Sequence, residues 1–211
     1  MVSILIPVIR LKGLSKCIDA IKRNAGIKLD IQIMYAYDKN RIGCPLMVQH
    51  LANNANYDLV MFLGDDTIPQ RDFLIEALNA MASLPHGWGL VGLNDGFHDG
   101  NKLATHWMAS KKLLPFIGGE FFHAGYKHTF CDMELTERCK ILGRYVWAEK
   151  SRVLHHHPLI DGSPSDADYD RVYSKEYSEH DHELFLSRRH LWLNETNKKI
   201  TGKNIKMHTR L

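Results

Sequence analysis

The 211-residue sequence has no run of about 18 apolar residues, so a transmembrane helix is not expected. Its opening, MVSILIPVIRLKG, lacks a basic leader and a small-residue cleavage site, so the expectation is a cytoplasmic protein without a secretory signal. Net charge is slight. The 27 Lys and Arg against 24 Asp and Glu leave +3 with His neutral, too little to imply nucleic-acid binding by itself. Cysteine is sparse: Cys17, Cys44, Cys131 and Cys139 form no CxxC pair and no zinc-ribbon spacing, so free thiols in a reducing compartment are expected. Internal repeats are absent. With 45% hydrophobic and 24% charged residues, disorder is excluded, and the length suffices for one domain whose core needs no disulfide.

What is present is an alternation of strands and helices over the first 95 residues. Val2 to Pro7 (VSILIP) is a continuous apolar run, as expected of a strand buried on both faces. Helices are expected over Ser15–Asn24, Pro45–Ala55 and Asp72–Met81, and strands over Leu29–Tyr37, Tyr57–Leu63 and Trp88–Leu93. Such alternation predicts right-handed βαβ units and a parallel sheet, whose ligands bind beyond the carboxyl ends of the strands. Asp38, Asp65 and Asp66 fall at such ends. The second half is less regular. A strand is expected near Thr105–Ala109, a turn at Gly118-Gly119, a helix over Asp132–Leu142, and short strands at Tyr145–Ala148 and Arg152–Leu154. A polar loop over Asp161–Asp170 and a helical segment over Ser174–Trp192 follow. Lys198 to Arg210 holds five basic residues and no acid; a solvated tail is favoured over a phosphate or anionic-lipid contact.

Three groups carry chemistry. In Gly64-Asp65-Asp66-Thr67, two adjacent carboxylates after a buried strand oppose each other's ionisation unless a cation offsets them. Their hard oxygens suit Mg²⁺ or Mn²⁺, and the alternative is a helix cap or plain turn. In His155-His156-His157, the first and third imidazoles face one way on an extended backbone and are usable ligands for Mn²⁺. Asp132 opens a helix. The macrodipole favours an acid there, and the functional reading is a general base.

Together these segments resemble the family 2 glycosyltransferases, from roughly Val2 to Pro158. VSILIP is similar to that family's first strand, and YDLVMFLGDDTIP to its signature strand with an aspartate-rich metal motif. CDMELTERCKILG resembles the segment bearing the catalytic base, and VLHHHP the late strand whose histidine completes the metal site in some members. Two positions depart from the pattern: Gly64 replaces the first acid of the usual Asp-x-Asp, and Cys131 replaces the acid before Asp132.

The resemblance implies a GT-A fold: a single Rossmann-like α/β domain with a mostly parallel central sheet flanked by helices and a C-terminal helical extension. Residues 1–160 would form the transferase domain, with 1–95 holding the nucleotide sugar and 96–160 the acceptor; 161–211 would be loop, helical extension and tail. It implies an inverting hexosyltransferase moving sugar from a nucleotide-diphosphate donor, a UDP-sugar first, to an acceptor hydroxyl. Pro7, Asp38, Asp65 and Asp66 are the donor-binding positions, Asp38 at the base and Asp65 near the ribose and diphosphate. Asp66 with His155, or His157 in its place, would hold Mn²⁺ or Mg²⁺, and Asp132 would deprotonate the acceptor.

The acceptor side is expected from His106, Trp107, Gly119 and Glu120 and the aromatic stretch to Tyr126, with burial of Trp107, Phe121 and Phe122 in the core as the even alternative. A saccharide is the default acceptor and a modified DNA base, a hydroxymethyl pyrimidine, the lesser one. Two rival functions stand beside this reading. A sugar-nucleotide pyrophosphorylase would want a glycine-rich loop after the first strand, where PVIRLKG has one glycine. A non-catalytic nucleotide-sugar-binding module would account for Gly64.

Overall fold

The computed structural model describes residues 1–162 and 164–193; the basic segment from Lys198 lies outside them. The strands are β1 Val2–Val8, β2 Ile31–Tyr37, β3 Leu59–Phe62, β4 Thr67–Pro69, β5 Leu90–Asn94, β6 Trp107–Ser110 and β7 Tyr145–His155. The helices are α1 Leu11–Asn24, α2 Cys44–Asn54, α3 Phe73–Ser83, α4 Cys131–Ile141, α5 Pro158–Asp161, α6 Ala167–Val172 and α7 Lys175–Arg188. The strands form one sheet in the order β2-β1-β3-β6-β5-β7-β4.

β1 sits between β2 and β3, parallel to both, and its apolar run is buried on both faces. Alternation along the pleat sends Val2, Ile4, Ile6 and Val8 to one side, against Leu14, Cys17 and Ile21 of α1 and Phe73, Leu74, Ala77 and Met81 of α3. Leu5 points to the other side, into a core shared with Val48 and Leu51 of α2, Trp107, Leu135 of α4 and Phe185 of α7. The result is a three-layer α/β/α sandwich. α1 starts at Leu11, earlier than Ser15, and its first turn lies so close to the β3–β4 loop that a Cβ at Gly13 would stand 2.3 Å from the Asp65 carbonyl oxygen. Glycine is required there by close backbone approach.

The sheet is mixed. β6 is inserted antiparallel between β3 and β5, and β4 pairs antiparallel with β7, while β5 and β7 are parallel. The two short strands expected over Tyr145–Ala148 and Arg152–Leu154 are one strand, β7, bent by a register shift opposite Leu93 and Asn94. The expected 161–170 loop ends in α6, whose N-cap Asp166 accepts from the amides of Asp168 and Tyr169.

These directions gather the site at one sheet edge. The ends of β1, β2, β3, β5 and β7 deliver Pro7–Arg10, Asp38, Gly64–Asp66, Asp95 and His155. Because β6 runs the other way, its start rather than its end lies there, which adds His106. The β4–β7 register places Thr67 opposite His155 and so brings that imidazole beside Asp66.

Candidate functional site

Beyond this edge lies a cleft of about 430 Å³. Asp65 lines it, almost fully buried. Asp65 Oδ2 accepts from the amides of Ile9 and Arg10 at 2.8 and 2.6 Å, tying the exit of β1 to the end of β3. Burial, with the charge of Asp66 next door, pushes the Asp65 carboxyl up to about 6.

Asp66 turns into the cleft. Burial alone would raise its carboxyl, yet His155 and the Tyr169 hydroxyl hold it well below the ordinary carboxylate range. The Tyr169 hydroxyl donates to Asp66 Oδ2 at 2.6 Å, His155 Nε2 lies 3.5 Å from Oδ1, and an Arg10 guanidinium nitrogen lies 3.7 Å from Oδ2. Tyr169 is held in turn by Arg10, whose guanidinium stacks 3.8 Å over its ring and pairs with Asp166 at 2.7 Å. α6 is thereby docked on the acidic elbow.

The histidines cluster beside it. The rings of His106 and His155 meet edge-to-face at 4.7 Å, and those of His155 and His157 at 5.3 Å. His157 packs edge-on against Tyr169 and Tyr173. Burial drives His106 down to about 3, so its imidazole is neutral. One ligand atom from each of Asp95, His106 and His155 lies within 4.8 Å of the others.

No protein-family model matches the chain. No curated protein matches it in sequence. Solved structures do. A mannosyltransferase from Pyrobaculum calidifontis, PcManGT, in complex with GDP-Man and Mn²⁺, aligns with TM-score 0.58 at 14% identity over 96% of this chain and 64% of its own. S. aureus TarS 1–349 in complex with UDP-GlcNAc aligns with TM-score 0.55 at 13% identity over 97% of this chain and 76% of its own. For TarS without that restriction the cover of its own length is 46%. This chain therefore spans slightly less than two thirds of the mannosyltransferase and under half of that longer TarS chain. The chain has the GT-A fold.

In this GT-A chain the cleft is lined by Pro7, Asp38, Asp65, Asp66, His106, Asp132, His155 and His157, all of them positions singled out in the sequence. Asp38 is buried and accepts from the amides of Ile42 and Gly43 at 2.9 Å each, which shapes the loop into α2. Asp132 is the second residue of α4 and accepts from the Met133 amide at 2.8 Å. Burial pushes the Asp132 carboxyl up to about 6.

Trp107, Gly119 and Glu120 are not brought to the cleft. The pleat of β6 turns Trp107 away from His106 into the core, fully buried against Phe62, Phe121 and Phe122. β6 then carries the chain to the far edge of the sheet, where Ser110 pairs with Leu59, before Gly119 and Glu120 are reached; Glu120 meets His123 Nδ1 at 2.6 Å. Arg10, Asp95 and Tyr169 went unremarked in the sequence. Asp95 carried the same strand-end signal as Asp38, whereas Tyr169 lay in a segment expected to be loop.

Proposed function

We propose that this protein transfers a hexose from a nucleotide-diphosphate sugar to an acceptor hydroxyl with inversion at the anomeric carbon. The observation that carries the reading is the meeting of Asp38, Asp65, Asp66, His155 and Asp132 in one cleft of a GT-A fold. Two aligned proteins were solved with nucleotide-diphosphate sugars, GDP-Man and UDP-GlcNAc. Residues 1–95 hold the donor and 96–160 the acceptor, a saccharide, while α6 of the extension forms part of the rim.

Asp132 takes the proton of the acceptor hydroxyl as its oxygen attacks the anomeric carbon, and the nucleotide diphosphate departs with the bonding pair. Asp65 fixes the β1 exit, so that Arg10 stands where the growing negative charge of the diphosphate is met. A resident divalent ion fits the residues present: Asp66 Oδ1 and His155 Nε2, a carboxylate oxygen and an imidazole nitrogen, lie 3.5 Å apart. Asp66 and His155 would hold Mn²⁺ or Mg²⁺ there, which would supply positive charge against the leaving group.

A thermal-shift screen of nucleotide sugars, UDP-sugars first, with Mn²⁺ tests the reading. A donor at 100 times its Kd is expected to stabilise the fold by about 2.7 kcal/mol. Failure of every nucleotide sugar to raise the melting temperature would remove the proposal. The raised Asp132 carboxyl gives a second expectation. Its ionised form is the base, so the transfer rate at limiting substrate should climb about tenfold per pH unit below about 6 and level off above it. A flat profile through that range would count against Asp132.

A further inference from the structure

Gly64 stands where the resembled family has an acid, and its surroundings indicate what replaces that acid. Gly64 is not at positive φ, so the backbone does not demand glycine. Space does. A Cβ at position 64 would stand 2.5 Å from Asp66 Oδ1 and 3.4 Å from His106 Nε2. Reversed β6 has put an imidazole beside the place a carboxylate would take. The Thr105 hydroxyl lies 3.3 Å from His106 Nδ1 and leaves Nε2 turned towards Gly64. Asp95 and His106 are almost fully buried, and Asp95 is oriented by the amides of Phe97 and His98, the Thr105 hydroxyl and His98 Nδ1.

We propose that Asp95 and His106 join Asp66 and His155 as ligands of the ion in this cleft, so that a second imidazole stands in for the acid missing at position 64 and the site favours a first-row transition ion over Mg²⁺. The proximity of the ligand atoms of Asp95, His106 and His155 supports it. Imidazole suits Fe²⁺ and Zn²⁺, and affinity at nitrogen sites rises from Mn²⁺ through Co²⁺, whereas Mg²⁺ prefers oxygen and keeps its water. Thr105 and His98 then act as the outer partners that orient the Asp95 carboxylate. The inference rests on the proposed function only for the presence of an ion in this cleft.

The test is a titration of chelator-stripped protein with Co²⁺, followed by its visible d–d absorption, with Mg²⁺ as competitor. Wild type is expected to bind Co²⁺ and to keep it against a large excess of Mg²⁺. H106Q and D95N, which each remove a ligand, should weaken binding by more than about tenfold, and H98A, which removes an outer partner of Asp95, should weaken it by about tenfold or more. In an H106A background, Gly64→Asp should restore binding and make it sensitive to Mg²⁺. Pulsed EPR of Mn²⁺-loaded wild type needs no variant and should show two coupled imidazole nitrogens. One coupled nitrogen, or folded H106Q and D95N proteins binding Co²⁺ like wild type while D66N does not, would overturn the inference and leave the proposed function standing. Absence of any Co²⁺ binding by wild type overturns it too, and a metal-independent donor shift in that case would show that the transfer reading survives without an ion.

Discussion

Asp132→Asn is expected to abolish sugar transfer, by about a hundred- to ten-thousand-fold, while the protein folds and binds donor as before. Asparagine keeps the shape of the side chain and an oxygen for the Met133 amide, so the start of α4 is preserved. What it loses is the ability to take a proton. The stability side of the argument has a definite sign. Burial raises the folded-state carboxyl to about 6, above its unfolded value, so ionisation above that pH opposes folding. An uncharged replacement escapes that opposition, and the melting temperature at pH 8 should be equal to or higher than that of wild type. Transfer rates and thermal melts on the same preparation separate the two effects. Near-normal turnover in the variant would remove Asp132 from its role.

Asp181→Ala is expected to be the most damaging substitution for stability, costing about 3–5 kcal/mol. Asp181 sits on α7, wholly buried, and accepts from the amides of Lys127, His128 and Thr129 at 2.9, 2.8 and 2.8 Å, with the Thr129 hydroxyl at 3.2 Å. His180 Nδ1 adds a contact at 2.9 Å. Removing the carboxylate strands three backbone donors at once, each at about 1–3 kcal/mol if no water replaces it. The same loop leads through Phe130, at φ 63°, into Asp132, so the folded fraction should also transfer sugar poorly. Urea denaturation measures the loss. The exposed Lys127–Glu176 pair on the same loop and helix is the contrast: Glu176→Ala should cost less than about 0.5 kcal/mol. Equal effects from the two variants would refute the clamp.

Much of the architecture was legible because periodicity reports burial directly. The apolar runs of β1 and β3 and the stripe Phe73, Leu74, Ala77 and Met81 of α3 each announce their element. Placing Asp38, Asp65 and Asp66 beyond strand ends followed from the alternation alone. The rest depends on long-range partners that local pattern does not encode. β4 has three residues and exists through its pairing with β7, yet that register is what sets His155 beside Asp66. α6 has six residues and is held by Arg10 and by its Asp166 cap. The direction of β6 decides that His106 faces the cleft and Trp107 the core, and nothing within WMAS fixes that direction.

The seat of Tyr169 on Asp66 has an effect on the affinity of any ligand that needs the same oxygen. The phenol is a tethered competitor, present at unvarying effective concentration, for any ligand group that takes its place on Asp66 Oδ2. An observed dissociation constant then equals the constant of the uncovered elbow divided by the fraction of molecules in which α6 is lifted. Two proteins with the same cleft residues but differently anchored helices would report different donor strengths without a single altered contact to the donor.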